Sequence, residues 1–439
     1  MDGQLMRYFL NFITFISFLA LSMTSIAVET PAQTARMQTP TEDSTIYHST
    51  QDNNPLTHST IETTLIHTDT TSDIKKPPLT LQLAKLQSAL DFYENIAKTK
   101  KWQTTPKGKL LSFGEIHPHV RLLRNKLVLL GDHPPLECAQ VKDELFDIEL
   151  HEALIRFQTR HGGKADGILG PNTRFHLNVT PYQRVNQLKV NIARITDFSP
   201  NTDRFIQVNI PEYRLYLYEH NQQILSMKTI VGKKKRKTPV FNSLVDRIVV
   251  NPSWHVPKSI AYKDIIPALK EDPNHLTKMN LKVVTGWGDS KKFIAAEDID
   301  YEKLYTGKNY QRFWEAPSNK NTLGSVKFLT NGPYSVYLHD TSAKRLFNES
   351  NRAYSSGCIR LEQPRKLADE LMRMTHGWTS SELDAVFKQA KTKQYRLNDP
   401  IPLHVTYWTA WVDSKGLTHF RSDIYKRDKY QLSIAQSSD

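Results

Sequence analysis

The first ordered part of the chain has apolar residues at helical spacing. One stripe predicts a helix near the start of this part, and it consists of Leu83, Leu86, Leu90, Tyr93 and Ala97. A second helix is predicted over residues 120–130. The two helices are interpreted as a helical scaffold over residues 79–135.

A compact helical module is predicted next, over residues 136–180. Leu150, Leu154 and Phe157 form the apolar stripe of one helix, and the glycine pair that follows ends it. Pro171 suits the first turn of a short second helix. Residues 181–202 are interpreted as a connector.

From about residue 203 the pattern changes from helical spacing to alternation. Ile206, Val208 and Ile210 alternate with polar residues, as in a strand with one buried face. Further strands are predicted at residues 214–218, 224–231, 247–251 and 335–339. Residues 261–330 carry helical and loop signals without clear alternation. They are interpreted as a helical insertion in a β-rich domain over residues 203–410, placed where it could cover an active site. Residues 411–439 form a C-terminal extension.

The N-terminal residues have the pattern of an export signal. Residues 8–23 are mostly apolar, Arg7 precedes them, and Ser25-Ile26-Ala27 suits signal-peptidase cleavage. A membrane-spanning helix needs roughly 20 apolar residues, so residues 1–27 are interpreted as a signal peptide, with an uncleaved inner-membrane tether as the alternative. Residues 28–78 are rich in Thr and Ser and are interpreted as a disordered linker.

Length and charge narrow the class of protein. The 439 residues favour two or three folded units, and the formal net charge of +13 favours an anionic partner. A nucleic-acid partner is not expected for an exported protein. Export also predicts a periplasmic location. The basic run of residues 233–237 is either a solvated hairpin tip or a contact with wall polymer. No metal-ligand spacing or phosphate-binding glycine loop stands out, so no metal and no cofactor is predicted.

The candidate chemistry lies in residues 337–364. His339 ends a predicted strand with its ring on the face opposite Leu338, and Ser355-Ser356-Gly357 leads into Cys358. A loop of small residues lets a substrate approach and leaves backbone N–H groups available for an oxyanion. A nearby imidazole can generate the thiolate that a cysteine nucleophile needs. The residue types alone leave a second interpretation open, in which both side chains are buried structural residues.

Two segments resemble known families. The stretch "LHEALIRFQTRHGGKADGILGPNTRFHLN" resembles the peptidoglycan-binding domain of wall enzymes, and "YLHDTSAKRLFNESNRAYSSGCIRLEQP" resembles the signature of the L,D-transpeptidase catalytic domain. The likeness extends over residues 80–428 and resembles the larger Gram-negative branch with an inserted capping subdomain. The sequence departs from the common signature at Ser356, where many members have histidine, and at Asp340, where glycine is common.

The resemblance implies a mechanism and a fold. Cys358 is the nucleophile, His339 its base, and the loop Ser355-Ser356-Gly357 supports an oxyanion hole. Arg360 is expected to meet a substrate carboxylate. Three further residues are assigned to substrate binding: Tyr337, Trp254 and Asp340. The implied fold is α+β and multidomain, with a β-sandwich-like catalytic domain, a helical inserted subdomain, an all-α peptidoglycan-binding domain and a helical scaffold.

The implied reaction is 3→3 cross-linking of peptidoglycan stem peptides through a thioester, with loss of D-Ala and with inhibition by carbapenem-type lactams. Three alternatives remain open on the sequence. The same nucleophile could serve an L,D-carboxypeptidase, exchange or lipoprotein-attaching activity, the chain could be a non-catalytic protein that binds wall glycan, or it could be a secreted cysteine peptidase. Cys138 has no accompanying histidine or glycine loop and is interpreted as structural or unpaired, although a disulfide with Cys358 is a further possibility in an oxidising compartment.

Overall fold

A computed structural model describes residues 79–135, 143–200, 202–287, 290–300, 302–304, 311–389 and 391–429. The predicted signal peptide and linker lie outside the described residues, as does Cys138. Among the helices that are described, none combines the length and the apolar character that crossing a membrane requires.

Within the described residues, five helices precede the first strand, and their bounds are α1 Leu79–Thr99, α2 Pro118–Leu129, α3 Ile148–Arg160, α4 Pro171–Leu177 and α5 Pro181–Thr196. Helices α2, α3 and α4 share one apolar core, which includes Leu123, Leu150 and Phe157. Gln158 fixes the turn between α3 and α4, because its side-chain amide donates to Asp166 and Thr173. The Phe-Gln, Asp-Gly and Thr positions of the sequence motif therefore meet in one buried hydrogen-bond network.

The β-rich domain begins with four strands, β1 Phe205–Asn209, β2 Arg214–Glu219, β3 Gln222–Gly232 and β4 Phe241–Val250. Residues 251–325 then leave this sheet. They contain strand β5 Trp254–His255, helix α6 Lys258–Ile260, a π-helical turn Ala261–Ile265, helix α7 Ile266–Glu271, helix α8 His275–Lys278, strands β6 Leu281–Thr285 and β7 Lys292–Ile294, a 3-10 turn Ala296–Asp298, and strand β8 Arg312–Glu315.

The sequence predicts a helical insertion over residues 261–330. The segment that leaves the large sheet is instead residues 251–325, and it contains a four-stranded antiparallel sheet in the order β5-β8-β6-β7. The strands are only two to five residues long, and such short strands leave little alternation to read. The segment has a core of its own, built around Trp254, Ile265, Leu281 and Phe313. Tyr337, which lies outside this segment, packs against that core.

The chain then returns to the large sheet with β9 Val326–Thr330, β10 Leu338–His339, a 3-10 turn Lys344–Asn348, β11 Ala353–Ser355, β12 Ile359–Leu361, α9 Pro364–His376, α10 Ser380–Lys388 and β13 Lys393–Thr406. The nine strands have the order β11-β3-β12-β10-β9-β4-β13-β1-β2, and β2 also pairs with β3. The sheet therefore closes on itself.

Closure corrects the expected two-sheet sandwich to a barrel-like sheet. The cause is the length of β3, which has 11 residues. Its first part pairs with β2 and its last part pairs with β12 and β11, so one strand joins both ends of the sheet. Helices α9 and α10 pack on the barrel core through Leu367, Leu371 and Leu383. The part of the chain from β1 to β13 is thus α+β, beside an all-helical module.

A final hairpin, β14 Ala410–Val412 and β15 Thr418–Phe420, ties these parts together. Phe420 and Val412 share a core with α1 and α5. The buried side chain of Arg160 on α3 bonds to Asp132 and donates to the Thr418 carbonyl at 3.2 Å. The hairpin therefore contacts both the helical scaffold and the helical module.

Candidate active site

Parallel pairing of β10 with β12 brings the predicted site residues onto one face. Leu338 pairs with Ile359 and His339 pairs with Arg360. Leu338 and Ile359 point into the barrel core and are fully buried. Their neighbours Tyr337, His339, Cys358 and Arg360 therefore project to the other face, where the Tyr337 and His339 rings lie 5.5 Å apart.

The loop before Cys358 holds a conformation that glycine alone adopts readily. Gly357 has φ +123°, and its carbonyl accepts a hydrogen bond from Thr238 at 2.7 Å. The Ser355 hydroxyl donates to the Cys358 carbonyl at 2.5 Å and accepts from the Gly357 N–H at 3.1 Å. The Ser355 and Gly357 positions of the motif are therefore explained by the shape of the loop, which fixes the direction of the thiol.

The thiol of Cys358 is free and partly buried. Burial raises its pKa above the usual range, while hydrogen bonds from Tyr337 and the charge of Arg360 act in the opposite direction. Its Sγ also lies 4.0 Å from the Ser335 carbonyl. Burial and the nearby thiol raise the pKa of Tyr337, so its hydroxyl keeps its proton and remains a donor. The resting thiol is therefore neutral, with a hydrogen-bond donor beside it.

The imidazole of His339 is buried and neutral. Burial lowers its pKa to about 3, and the positive charge of Arg360 contributes in the same direction. A neutral imidazole has a ring nitrogen that can accept a proton, but a pKa this low also makes it a weak base in the free protein. The structure therefore places an imidazole on the same face as the thiol, and the burial of that imidazole limits its basicity.

Arg360 is half-buried, and its guanidinium has no carboxylate partner among the described residues. Burial lowers its pKa, and a negative charge on Cys358 would oppose that change. Its Nε atom is buried and has no hydrogen-bond partner in the described part of the chain. A cation in this state favours an anion nearby, either the thiolate or a group on a bound molecule.

Asp340 and Trp254 have other partners than the sequence assigns to them. The Asp340 carboxylate accepts from the Ser325 N–H at 2.8 Å, from the Thr341 N–H and from the Lys344 ammonium, so these groups satisfy it within the protein. Trp254 is buried in the core of residues 251–325, and its indole donates a hydrogen bond to Tyr337. Trp254 therefore helps to position the Tyr337 side chain through this hydrogen bond.

Two residues that the sequence does not mark as site residues hold the loop Ser355-Ser356-Gly357, here called the nucleophile loop after the role predicted for Cys358. Thr238 is fully buried and bridges Gly357 to the N–H of Gly232. Arg236 donates to the Ser356 hydroxyl at 2.8 Å and forms a two-pronged ion pair with Asp264 of residues 251–325. The one sequence signal for Arg236 and Thr238 is their place in the basic run and in the Thr-Pro pair that follows it.

The basic run is therefore not uniform. Lys233, Lys234 and Lys235 are exposed, as a solvated tip requires. Arg236 and Lys237 instead contact protein, since Lys237 donates to the Tyr425 carbonyl at 3.0 Å. Sequence analysis interpreted the run as a solvated hairpin tip or as a contact with wall polymer. Either interpretation fits only Lys233, Lys234 and Lys235.

Two family models match the chain. Residues 203–385 match the L,D-transpeptidase catalytic domain, and residues 117–177 match a putative peptidoglycan binding domain. A curated relative described as a putative L,D-transpeptidase from Haemophilus influenzae is 34% identical over 250 residues, which is 57% of this chain and 49% of the relative. The chain thus spans about half the length of that relative.

Solved structures give a fainter likeness. A crystal structure of an L,D-transpeptidase from Stackebrandtia nassauensis has 12% identity, covers 69% of this chain and 96% of its own, and has a TM-score of 0.25. An NMR structure of the catalytic domain of an L,D-transpeptidase from Enterococcus faecium, acylated by ertapenem, has 12% identity, covers 47% of this chain and 100% of its own, and has a TM-score of 0.20. TM-scores this low do not establish a common fold.

Proposed function

The chain carries an L,D-transpeptidase catalytic domain together with a peptidoglycan-binding domain, and from this premise we propose that it cross-links peptidoglycan stem peptides through a thioester on Cys358. The reaction would be 3→3 cross-linking with loss of D-Ala. One observation carries the proposal: a free thiol and a neutral imidazole project from paired strands onto one face. That combination is what nucleophilic catalysis by cysteine requires.

In the first half-reaction, His339 accepts the thiol proton as Sγ attacks the carbonyl carbon of the third stem residue, a diaminopimelate. The carbonyl electron pair moves to oxygen. Since the Gly357 N–H already donates to Ser355, we assign the oxyanion to the N–H of Cys358. Collapse of the intermediate breaks the amide bond, the imidazolium returns its proton to the leaving D-Ala amine, and a thioester remains.

In the second half-reaction, the side-chain amine of another diaminopimelate attacks the thioester carbonyl. His339 removes the amine proton, the C–S bond breaks, and the thiolate leaves. Arg360, which lacks a carboxylate partner among the described residues, stabilises that thiolate. Thioesters react readily with amines, which suits a two-step transfer.

Two further parts of the chain are included in the proposal. The helical module has the sequence pattern of peptidoglycan binding, so we assign it to the wall, and with it a periplasmic location. We also assign residues 251–325 to a capping role, because their core contacts Tyr337 and their Asp264 reaches the nucleophile loop through Arg236.

Incubation of the full chain with disaccharide-tetrapeptide tests the reaction. We expect mass spectrometry to detect D-Ala loss and a cross-linked dimer, and we expect Cys358→Ala to abolish both while wall binding persists. D-Ala loss without a dimer would indicate the carboxypeptidase alternative. A dimer formed by Cys358→Ala would contradict the mechanism.

Acylation by a carbapenem tests the nucleophile separately. A strained lactam presents an acyl group to the thiol, so the intact mass should increase by one inhibitor. Cys138→Ala is the matched control and should acylate like the natural chain. An unchanged mass for the natural chain would count against Cys358 as nucleophile.

A further inference from the structure

A cavity lies where the end of α5 meets strands β4 and β13. Its volume is about 560 Å³, which is within the range of roughly 300–1,000 Å³ that is typical of small-molecule sites. The buried residues Val405, Tyr407 and Trp408 line its inner part. Val240 and Asn242 also line it and are exposed, so the cavity opens to solvent. A small ligand can therefore enter it without a change in the fold.

Aromatic rings form a large part of the cavity wall. Phe198, which follows α5, is half-buried and meets Trp408 edge to face, with the ring centres 5.1 Å apart. Tyr407 is the third ring in the lining. Aromatic side chains pack well against one another in offset or edge-to-face arrangements. The wall therefore favours a ligand with an aromatic group.

Arg427 adds a positive charge to the cavity. Its guanidinium lies 5.6 Å from the Tyr407 ring centre, and it forms neither an ion pair nor a hydrogen bond with another described residue. Arg194, the other cation in the lining, is already paired with Asp428 at 2.6 Å. A guanidinium binds a carboxylate through two parallel hydrogen bonds. Arg427 therefore suits the carboxylate of a ligand.

Asp197 adds a negative charge to the same lining. It is the C-cap residue of α5, which has 16 residues. Its side chain is exposed and forms no ion pair with another described residue. The last carbonyl groups of a helix carry a partial negative charge that favours a cation. This part of the cavity therefore suits the ammonium group of a ligand.

The cavity is separate from the proposed active site. Neither Cys358 nor His339 is among the residues that line it. On the protein side, the Tyr407 ring stacks on that of Tyr425 with the ring centres 5.7 Å apart. Tyr425 in turn donates to the Gly232 carbonyl. Protein side chains therefore lie between the cavity and the nucleophile loop, and a ligand in the cavity would not need the thiol.

We propose that this cavity is a second ligand site, which binds a zwitterionic amino acid with an aromatic side chain. The ligand carboxylate pairs with Arg427, and the ligand ammonium lies beside Asp197 at the end of α5. The aromatic side chain packs on Phe198 and Tyr407. This inference does not rest on the proposed function, because no residue of the cavity takes part in the proposed reaction.

Binding of L-tryptophan to the full chain, measured by calorimetry, tests the proposal. Two analogues provide the comparison, since indole-3-propionate lacks the ammonium group and tryptamine lacks the carboxylate. Each analogue should bind roughly tenfold more weakly than tryptophan, because each loses one charged contact. Absence of tryptophan binding at millimolar concentration would overturn the site. Equal affinity for all three probes would overturn the zwitterionic ligand.

Two substitutions assign the charged contacts. Arg427→Gln should weaken tryptophan binding roughly tenfold and leave tryptamine binding unchanged. Asp197→Asn should weaken the binding of tryptophan and tryptamine and leave that of indole-3-propionate unchanged. Lys429→Gln is the matched control, because Lys429 is exposed close to Arg427 in the chain, and its affinities should equal those of the natural chain. Unchanged tryptophan affinity in Arg427→Gln would overturn the inference.

The thermal unfolding midpoint shows whether each variant is folded. Arg427→Gln should unfold at the natural temperature, since the Arg427 side chain has no ion pair or hydrogen bond to lose among the described residues. If a variant is less stable, the three probes on the natural chain still decide between the outcomes. Failure to cross-link stem peptides would contradict the proposed function and leave this inference standing, and loss of the second site would leave the proposed function standing.

Discussion

At the scale of the residue, Cys358 and His339, the proposed nucleophile and base, both have shifted pKa values in the free protein. Burial raises the pKa of Cys358 and lowers that of His339 to about 3, so a thiolate–imidazolium ion pair is not the resting state. Tyr337 and Arg360 both lower the pKa of the thiol. Deprotonation is therefore controlled by residues that the sequence placed with substrate binding.

This pair of pKa shifts predicts a rising pH dependence. The rate of Cys358 acylation by a carbapenem should increase between about pH 6 and pH 9, because the thiolate fraction grows while His339 stays neutral. Tyr337→Phe removes a hydrogen bond that stabilises the thiolate, so its profile should move to higher pH. Stopped-flow measurement of the rate at each pH checks both. A rate that is flat across neutral pH would instead show that the thiol proton passes to His339 before or during the attack, without prior ionisation of the thiol by solvent.

At the scale of the element, the nucleophile loop depends on the turn that follows β3. Thr238 is buried and satisfies both the Gly357 carbonyl and the Gly232 N–H. The chain then continues into strand β4 of the barrel-like sheet. One side chain thus connects the end of β3 to the loop before β12.

Thr238→Val should destabilise this region. The substitution leaves two buried backbone groups without a partner, at a cost of about 1–3 kcal/mol in the free energy of unfolding. Thr238→Ser keeps the hydroxyl and is the control. Urea unfolding of both variants measures the difference, and equal stability would show that the bridge is dispensable.

Arg236 connects the nucleophile loop to residues 251–325. Arg236→Ala removes the contacts to Ser356 and Asp264, and we expect roughly tenfold slower cross-linking because the loop and the cap lose their fixed spacing. Asp264→Asn should slow the reaction in the same direction. Lys235→Ala is the matched control, since Lys235 is exposed in the same run. Product formation by liquid chromatography gives the rates, and a slow Lys235→Ala variant would argue for general charge instead.

At the scale of the whole molecule, the C-terminal residues join parts that are distant in sequence. Arg160 on α3 donates to the Thr418 carbonyl. Tyr425 donates to the Gly232 carbonyl and accepts from the Thr238 N–H. The segment that sequence analysis set aside as an extension therefore contacts the helical module and the support of the nucleophile loop.

Buried neutral histidines make the folded chain sensitive to acid. Burial lowers the pKa of His176 and of His339 to about 3, and lowers that of His161 well below its usual range. In the unfolded chain these groups bind protons near their ordinary pKa of about 6.5. Their contribution to stability is thus complete above that pH and is lost as the pH falls towards 3. Each histidine contributes a slope of up to about 1.4 kcal/mol per pH unit.

Thermal unfolding between about pH 7 and pH 4 checks this dependence. The midpoint should fall with pH in the natural chain and fall less steeply in His176→Asn. His220→Asn is the control, because His220 is exposed. Equal slopes for the two variants would mean that His176 is not the source.

The sequence by itself determined the local elements and the residue pair. The stripe of α3, the glycines after it and Pro171 at the start of α4 follow from neighbours in the chain, so periodicity predicted them. His339 and Cys358 were predicted as the reacting pair because their segment resembles the family signature, whereas their residue types alone left a buried structural role open. Their placement on one face required β10 to pair with β12, which the sequence does not state.

The tertiary structure alone decided the remaining features. Closure of the barrel, the short strands of residues 251–325 and the bridge from Arg236 to Ser356 and Asp264 all join residues that are far apart in the chain. A pattern of apolar positions specifies which face of an element is buried, but it does not specify the partner that buries it. Pairing depends on long-range packing and on hydrogen bonds that buried groups must complete.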